Sequence, residues 1–160
     1  MTNWPIERAL PGDAESMRNC VRAAYAHYVE RIGKEPGPMV DDYATRIADD
    51  EAYVVRDGNV VAGVLVIIEE PERVLLDNVA VDPAYSGQGL GRRLVEFAEQ
   101  RAQELGYHDI ELYTHEMMTE NIEMYRRWGY RITRRIREKG FDRIYMKKKY
   151  RSIDRCPGKC

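Results

Sequence analysis

Val74-Leu75-Leu76-Asp77-Asn78-Val79-Ala80-Val81-Asp82-Pro83-Ala84-Tyr85-Ser86-Gly87-Gln88-Gly89-Leu90-Gly91 is the stretch from which the fold is read. Its first eight residues are apolar except for Asp77 and Asn78, which suits a strand buried on both faces. Asp82-Pro83 stops that strand, because proline cannot extend a hydrogen-bonded ladder. Beyond the glycines, Leu90, Leu94, Val95, Ala98, Ala102 and Leu105 recur at helical spacing until Gly106 ends the run. The unit is a strand, a glycine-rich turn and a helix.

Upstream, Ala52 to Arg56, Asp57-Gly58-Asn59 and Val60 to Glu69 predict a hairpin, with Asp-Gly supplying the positive φ of a tight turn. A first strand is expected near Trp4 to Arg8. Leu10-Pro11-Gly12-Asp13 then makes a turn and an N-cap, and Met17, Cys20, Val21, Ala24 and Tyr28 carry a helix to about Ile32. Gly33-Lys34-Glu35-Pro36-Gly37-Pro38 breaks it, and a short helix around Asp41 to Ala48 follows. The loop Gly33 to Met39 is a candidate lid. Downstream, Ile110 to Thr114 is a strand, Thr119 to Trp128 a helix closed by Gly129, and Tyr130 to Arg137 with Phe141 to Lys148 a last pair joined at Lys139-Gly140. This order predicts an α/β (α+β) fold, a mixed, mostly antiparallel sheet of about seven strands flanked by about four helices. Residues 1–150 are expected to form one domain and 151–160 a C-terminal tail.

The 160 residues are 44% hydrophobic and 32% charged, which excludes disordered and collagen-like classes. The longest apolar run, Val60 to Ile68, falls well short of the roughly 20 residues a spanning helix needs. No signal peptide is readable among the first thirty residues, so the expected compartment is the cytoplasm. Three cysteines are too few to staple a secreted domain, and Cys156 and Cys160 have no second pair or neighbouring His for a metal. No metal is expected. The net charge of −2 hides an asymmetry: residues 1–130 carry 13 Lys and Arg against 24 Asp and Glu, and residues 131–160 carry 12 against 3. Those late cations alternate with Ile132, Ile136, Ile144 and Tyr145 as exposed strand faces do, a solvated face rather than a nucleic-acid surface.

Ser86-Gly87-Gln88-Gly89-Leu90-Gly91 puts three glycines at alternate positions where a buried strand becomes a helix. Consecutive N–H groups can there face an anion such as pyrophosphate, or the glycines can simply make a tight turn. A P-loop would need Gly-Lys-Ser/Thr, and a dinucleotide fold would carry its glycines in the first strand-helix unit. Neither fits.

With its order of elements, the glycine motif resembles that of the GNAT superfamily of N-acetyltransferases, written Q/R-x-x-G-x-G/A. Asn78-Val79-Ala80-Val81-Asp82-Pro83-Ala84-Tyr85 is similar to the family's fourth strand and its exit, and Asn121 to Tyr130 is similar to its Tyr-x-x-x-Gly-Phe/Tyr ending. The likeness covers roughly residues 4–150. It departs at Ser86, where the motif has Gln or Arg, and at Met118, where the family often has Asn; Asn121 is the nearest replacement.

The resemblance implies acetyl-CoA as acyl donor, lying in an opening between strand 74–81 and strand 110–114. Backbone of Val79, Ala80 and Val81 would pair with its pantetheine arm. N–H groups of Ser86, Gly87, Gln88, Gly89, Leu90, Gly91 and Arg92 would hold its pyrophosphate, with Arg92 and Arg93 adding charge. Tyr125 would protonate the leaving thiolate, its bland alternative being aromatic packing with Met118, Ile122 and Trp128. An N–H near Val79 would hold the oxyanion. For the base, Asp77 stands in an apolar strand where a lone buried carboxylate is costly, so it faces a cleft or is paired. His115 and Glu116 are rivals. Asp41, Asp42, Glu69 and Glu70 would draw a cationic amine. The expected activity is direct transfer of acetyl to a primary amine, small-molecule or peptide, with Cys20 not the nucleophile and room left for a homodimer. A non-catalytic acyl-CoA-binding module of the same fold is the alternative.

Overall fold

The computed structural model describes residues 4–150. Seven strands and four α-helices follow one another: β1 Ile6–Arg8, α1 Ala14–Ile32, α2 Tyr43–Ala48, β2 Ala52–Asp57, β3 Val60–Glu69, β4 Val74–Val81, α3 Leu90–Glu104, β5 Asp109–His115, α4 Thr119–Arg127, β6 Arg131–Glu138 and β7 Phe141–Lys149. The strands are mostly antiparallel, as expected. The residues fall into two compact units, 4–68 with 76–98, and 69–75 with 99–150.

In the first unit β1 pairs with β2 and β2 with β3, both antiparallel. Side chains alternate across a strand, so Ala52, Val54, Val64 and Val66 share a face, and they cluster with Met17, Cys20 and Val21 of α1 and Tyr43 and Ile47 of α2. Burying each such aliphatic side chain stabilises the fold by about 1.5–3 kcal/mol. On the other face Tyr53 meets Phe97 of α3 edge-on at 5.0 Å. A Cβ at Gly63 would lie 3.2 Å from Leu94 and 3.3 Å from Leu90, so the missing side chain lets the start of α3 approach β3 closely.

In the second unit β7 pairs with β5 on one side and β6 on the other, antiparallel throughout. β6 is the outermost strand and carries an irregularity between Ile132 and Arg134. Ile110, Leu112, Ile144 and Met146 are buried, whereas almost all of β6 is exposed or half-buried. The Tyr130 hydroxyl donates to Glu99 Oε2 at 2.8 Å, and Lys148 Nζ reaches Glu99 Oε1 at 3.2 Å. Burial, and then the Glu99 charge, push the Tyr130 phenol well above its ordinary range.

Several local expectations need correction. Asp13 stands at the N-cap of α1 but its side chain does not cap the helix; it accepts from Leu10 N at 2.6 Å and pairs with Arg56. The segment Gly33 to Pro38, expected to hold no helix, ends in one: Gly37–Val40 forms a 3-10 turn, which tolerates Pro38 at its start. Asp57 belongs to β2, opposite Val60, so the hairpin turn centres on Gly58-Asn59. Leu105 lies beyond α3 and is 38% exposed instead of completing its buried stripe. The alternation in β6 fails at its irregularity, and Ile136 is exposed.

Candidate functional site

The exit of β4 is fixed before the glycines begin. Asp82 N donates to Ala62 O at 2.9 Å, the Asp82 carboxylate accepts from Ala84 N at 2.9 Å, and Ser86 donates through both N and Oγ to Pro83 O. Tyr85 donates to Asp57 Oδ2 at 2.8 Å and packs edge-on with Trp4. Arg93, expected near the anion, donates through Nη2 to Trp4 O at 2.6 Å, and Arg92 pairs with Glu96 one turn on at 3.2 Å.

Between these ties Gly87 and Gly89 take φ of +82° and +78°, a conformation side chains rarely adopt, while Gly91 does not. A Cβ at Gly87 or Gly89 would meet nothing within 4 Å. Their role is therefore backbone shape and open access, not close packing against the protein. The first bond closing α3 runs from Arg93 N to Gly89 O at 3.1 Å, so the N–H groups of the first turn have no partner within the helix. Left-handed residues alternating with others in front of a helix N-terminus make an anion-binding concavity. Such a concavity suits an anionic group.

Before the turn, β4 carries a polar cluster of which the sequence disclosed only Asp77 and Asn78. Asn78 is 3% exposed; its Oδ1 accepts from Tyr25 OH at 2.8 Å and its Nδ2 donates to Tyr43 OH at 3.0 Å. Tyr25 OH also lies 3.3 Å from Val79 O, so one carbonyl of the segment expected to pair with pantetheine has an internal donor. Burial, then the charges of Asp41 and Asp77, push the Tyr43 phenol up. Arg46 of α2 donates through Nε to Asp41 at 2.9 Å and through Nη1 to Glu51 at 3.0 Å, and its Nη2 lies 3.7 Å from Asp77. Burial works against the Arg46 charge, but these carboxylates outweigh it and hold the guanidinium above its ordinary range. Asp77 is thus paired, one of the two outcomes its setting predicts. Tyr43→Phe removes a donor to Pro38 O and the acceptor of buried Asn78. We expect it to destabilise the chain by about 1–3 kcal/mol, read as a lower urea midpoint at unchanged m-value.

The loop Gly33 to Met39 is tied down. Arg22 donates to Glu35 at 2.7 Å and to Met39 O at 3.1 Å, and Met39 is buried. The four carboxylates expected to draw a cationic amine each have a local partner. Asp41 is held by Arg46, Asp42 caps α2 through Thr45, Glu69 pairs with Arg101 and Glu70 with Arg73. Buried Cys20 has its thiol pushed up to about 12 by burial and then by the Asp82 charge, unlike a nucleophilic cysteine.

In the second unit Tyr125 sits on α4, 7% exposed, with its ring edge-on to Trp128 at 6.0 Å and to Tyr130 at 5.7 Å. His115 ends β5, and its Nδ1 accepts from Met117 N at 3.0 Å. Glu116 is exposed beyond it. Asn121, the third residue of α4, points Nδ2 at Met118 Sδ, 3.7 Å away, with Met118 buried. Among the described residues no group of three or more His, Cys, Asp or Glu is arranged to hold a metal, and no helix is long and apolar enough to cross a membrane. Cys156 and Cys160 lie outside the described residues.

Residues missed by sequence reasoning are Tyr25, Tyr43 and Arg46. Asn78 was the available signal, since a polar side chain in a buried strand needs partners.

The fold has counterparts among known proteins. The chain is 33% identical over 95 residues to YvbK of Bacillus subtilis (strain 168), an uncharacterised N-acetyltransferase. That match spans 59% of each protein's length. PaiA N-acetyltransferase from Thermoplasma acidophilum, solved in complex with coenzyme A, superposes with a TM-score of 0.78 at 16% identity, covering 93% of this chain and all of that one. YncA from Salmonella typhimurium, solved with its cofactor acetyl-CoA, superposes with a TM-score of 0.69 at 21% identity, covering 97% of this chain and all of that one. Residues 16–130 match the acetyltransferase (GNAT) family, and with the glycine turn and strand order in place the chain belongs to it.

Proposed function

We propose that the chain moves the acetyl group of acetyl-CoA to a primary amine, small-molecule or peptide, by direct attack and without a covalent enzyme intermediate. The observation that carries this reading is the pair of left-handed glycines, Gly87 and Gly89, opening onto the start of α3. Acetyl-CoA supplies an activated thioester. N–H groups of Ser86 to Arg92 hold its pyrophosphate with help from the helix dipole, and backbone of Val79, Ala80 and Val81 pairs with its pantetheine arm. Tyr125 gives a proton to the departing thiolate, and Asp77 takes one from the amine through water. Asn121 is the remaining side chain offered to the cofactor.

A thermal-shift titration with acetyl-CoA, followed by thiol release against a panel of primary amines, tests this. Binding with no release for any amine would leave a non-catalytic acyl-CoA-binding module.

Asp77→Asn is nearly isosteric but cannot act as a base. We expect it to stay folded, bind acetyl-CoA and lose rate on the order of tenfold near neutral pH. Raising the pH restores part of the rate, because more of the amine is already deprotonated. An earlier melt with an unchanged pH–rate profile would make Asp77 a scaffold instead. If neither profile nor melting temperature moved, the search for the base would pass to His115 and Glu116.

A further inference from the structure

The guanidinium of Arg46 is shared among three carboxylates on different segments, and only two receive a hydrogen bond. Asp41, just before α2, and Glu51, just after it, are bonded at 2.9 and 3.0 Å. Asp77 on β4 is held at 3.7 Å, close enough for charge attraction but beyond hydrogen-bond reach. Arg46 is therefore fixed from its own segment and presents its remaining nitrogen to β4. The contact between Arg46 and Asp77 is an attraction of opposite charges across 3.7 Å. The placement is rigid on both sides, because α2 is also joined to β4 by Tyr43 through Asn78, and Asn78 to α1 by Tyr25. With its side chain a quarter exposed and that of Asp77 one-tenth exposed, the pair is only partly screened by water.

We propose that Arg46 is a positioning residue for acetyl transfer, acting through Asp77 to hold its carboxylate where it accepts the amine proton. The inference rests on the reading of Asp77 as the base. It assigns the polar cluster of α2 a part in turnover beyond holding α2 against the sheet.

The test is a double-mutant cycle on the full chain, with Arg46→Met, Asp77→Asn and the pair together, read by melting temperature, acetyl-CoA thermal shift and kcat with the amine that gives most thiol release. We expect Arg46→Met to lower kcat several-fold, by no more than the roughly tenfold loss of Asp77→Asn itself, with the KM for acetyl-CoA within about twofold. In the Asp77→Asn background the same change should cost almost nothing more. Arg46→Lys guards against a folding failure, since it keeps the charge but not the fork; it should melt close to the unaltered chain and recover part of the rate. Equal losses from Arg46→Met in both backgrounds, or a lower melting temperature with unchanged kcat, would overturn the proposal while leaving Asp77 as base. Full activity in Asp77→Asn alone would overturn it at its premise. No turnover by an unaltered chain that binds acetyl-CoA would overturn it together with the proposed function.

Discussion

A Gly89→Val chain is expected to lose the stabilisation that acetyl-CoA gives the unaltered protein. A ligand that binds only the native state adds RT ln(1 + [L]/Kd), about 2.7 kcal/mol at a hundredfold excess over Kd. Gly89 stands at φ +78°, and a β-branched residue there costs about 1–2 kcal/mol or forces the backbone elsewhere. Nothing within 4 Å would meet the new Cβ, so the rest of the fold should survive. The turn alone loses its shape. Gly91→Ala is the matched control, because Gly91 lacks the left-handed backbone and its Cβ would meet only Val81 at 3.7 Å. It should fold as the unaltered chain does, and any lost shift in it reports how closely the ligand approaches the helix start. An undiminished shift in Gly89→Val would remove the glycine turn from the argument.

Tyr125→Phe is expected to lower kcat on the order of 10²-fold while leaving acetyl-CoA affinity within a few fold, because only the proton donor is deleted. The ring and its edge-on contacts with Trp128 and Tyr130 remain. Stability should therefore change by no more than one hydrogen bond, about 1 kcal/mol. Steady-state kinetics with a saturating amine, beside a melting curve, separates the two roles the sequence left open. Full activity would return Tyr125 to aromatic packing.

How much could be read from the chain depended on how local each feature is. The passage from β4 through the glycines to α3 was legible because apolar continuity, a Pro stop and alternate glycines are all written within twenty residues. The hairpin was legible except for its centre, since the sequence does not say whether Asp57 enters the turn or stays in the ladder opposite Val60. Asp13 misled for a related reason: it has the chemistry of a cap, but Arg56, 43 residues on, competes for its carboxylate. The cluster around Asp77 was half legible. Asp77 and Asn78 stand out in an apolar strand, yet their partners Arg46, Tyr43 and Tyr25 lie 31 to 53 residues away and look like ordinary helix residues. Asp41, Asp42, Glu69 and Glu70 read as a field that draws cations, because a sequence displays charges and hides their pairing. Asp41, Asp42 and Glu70 are engaged by residues three to five positions along the chain, and Glu69 by Arg101, 32 residues away, which only the fold brings near.

The outermost strand of the second unit bears on how the protein behaves in a crowd of its own copies. An edge strand offers unpaired backbone groups on which another chain can build a sheet. β6 sets Arg131, Arg134, Arg135 and Arg137 along that border and breaks its regularity between Ile132 and Arg134. Two such borders meeting would bring like charges together and find their ladders out of step. The positive charge gathered near the C-terminus then works as self-avoidance, strongest in dilute salt and weakened near 1 M, where charges are screened beyond about 3 Å. Edge-to-edge pairing of two copies at β6 is accordingly opposed most strongly at low ionic strength.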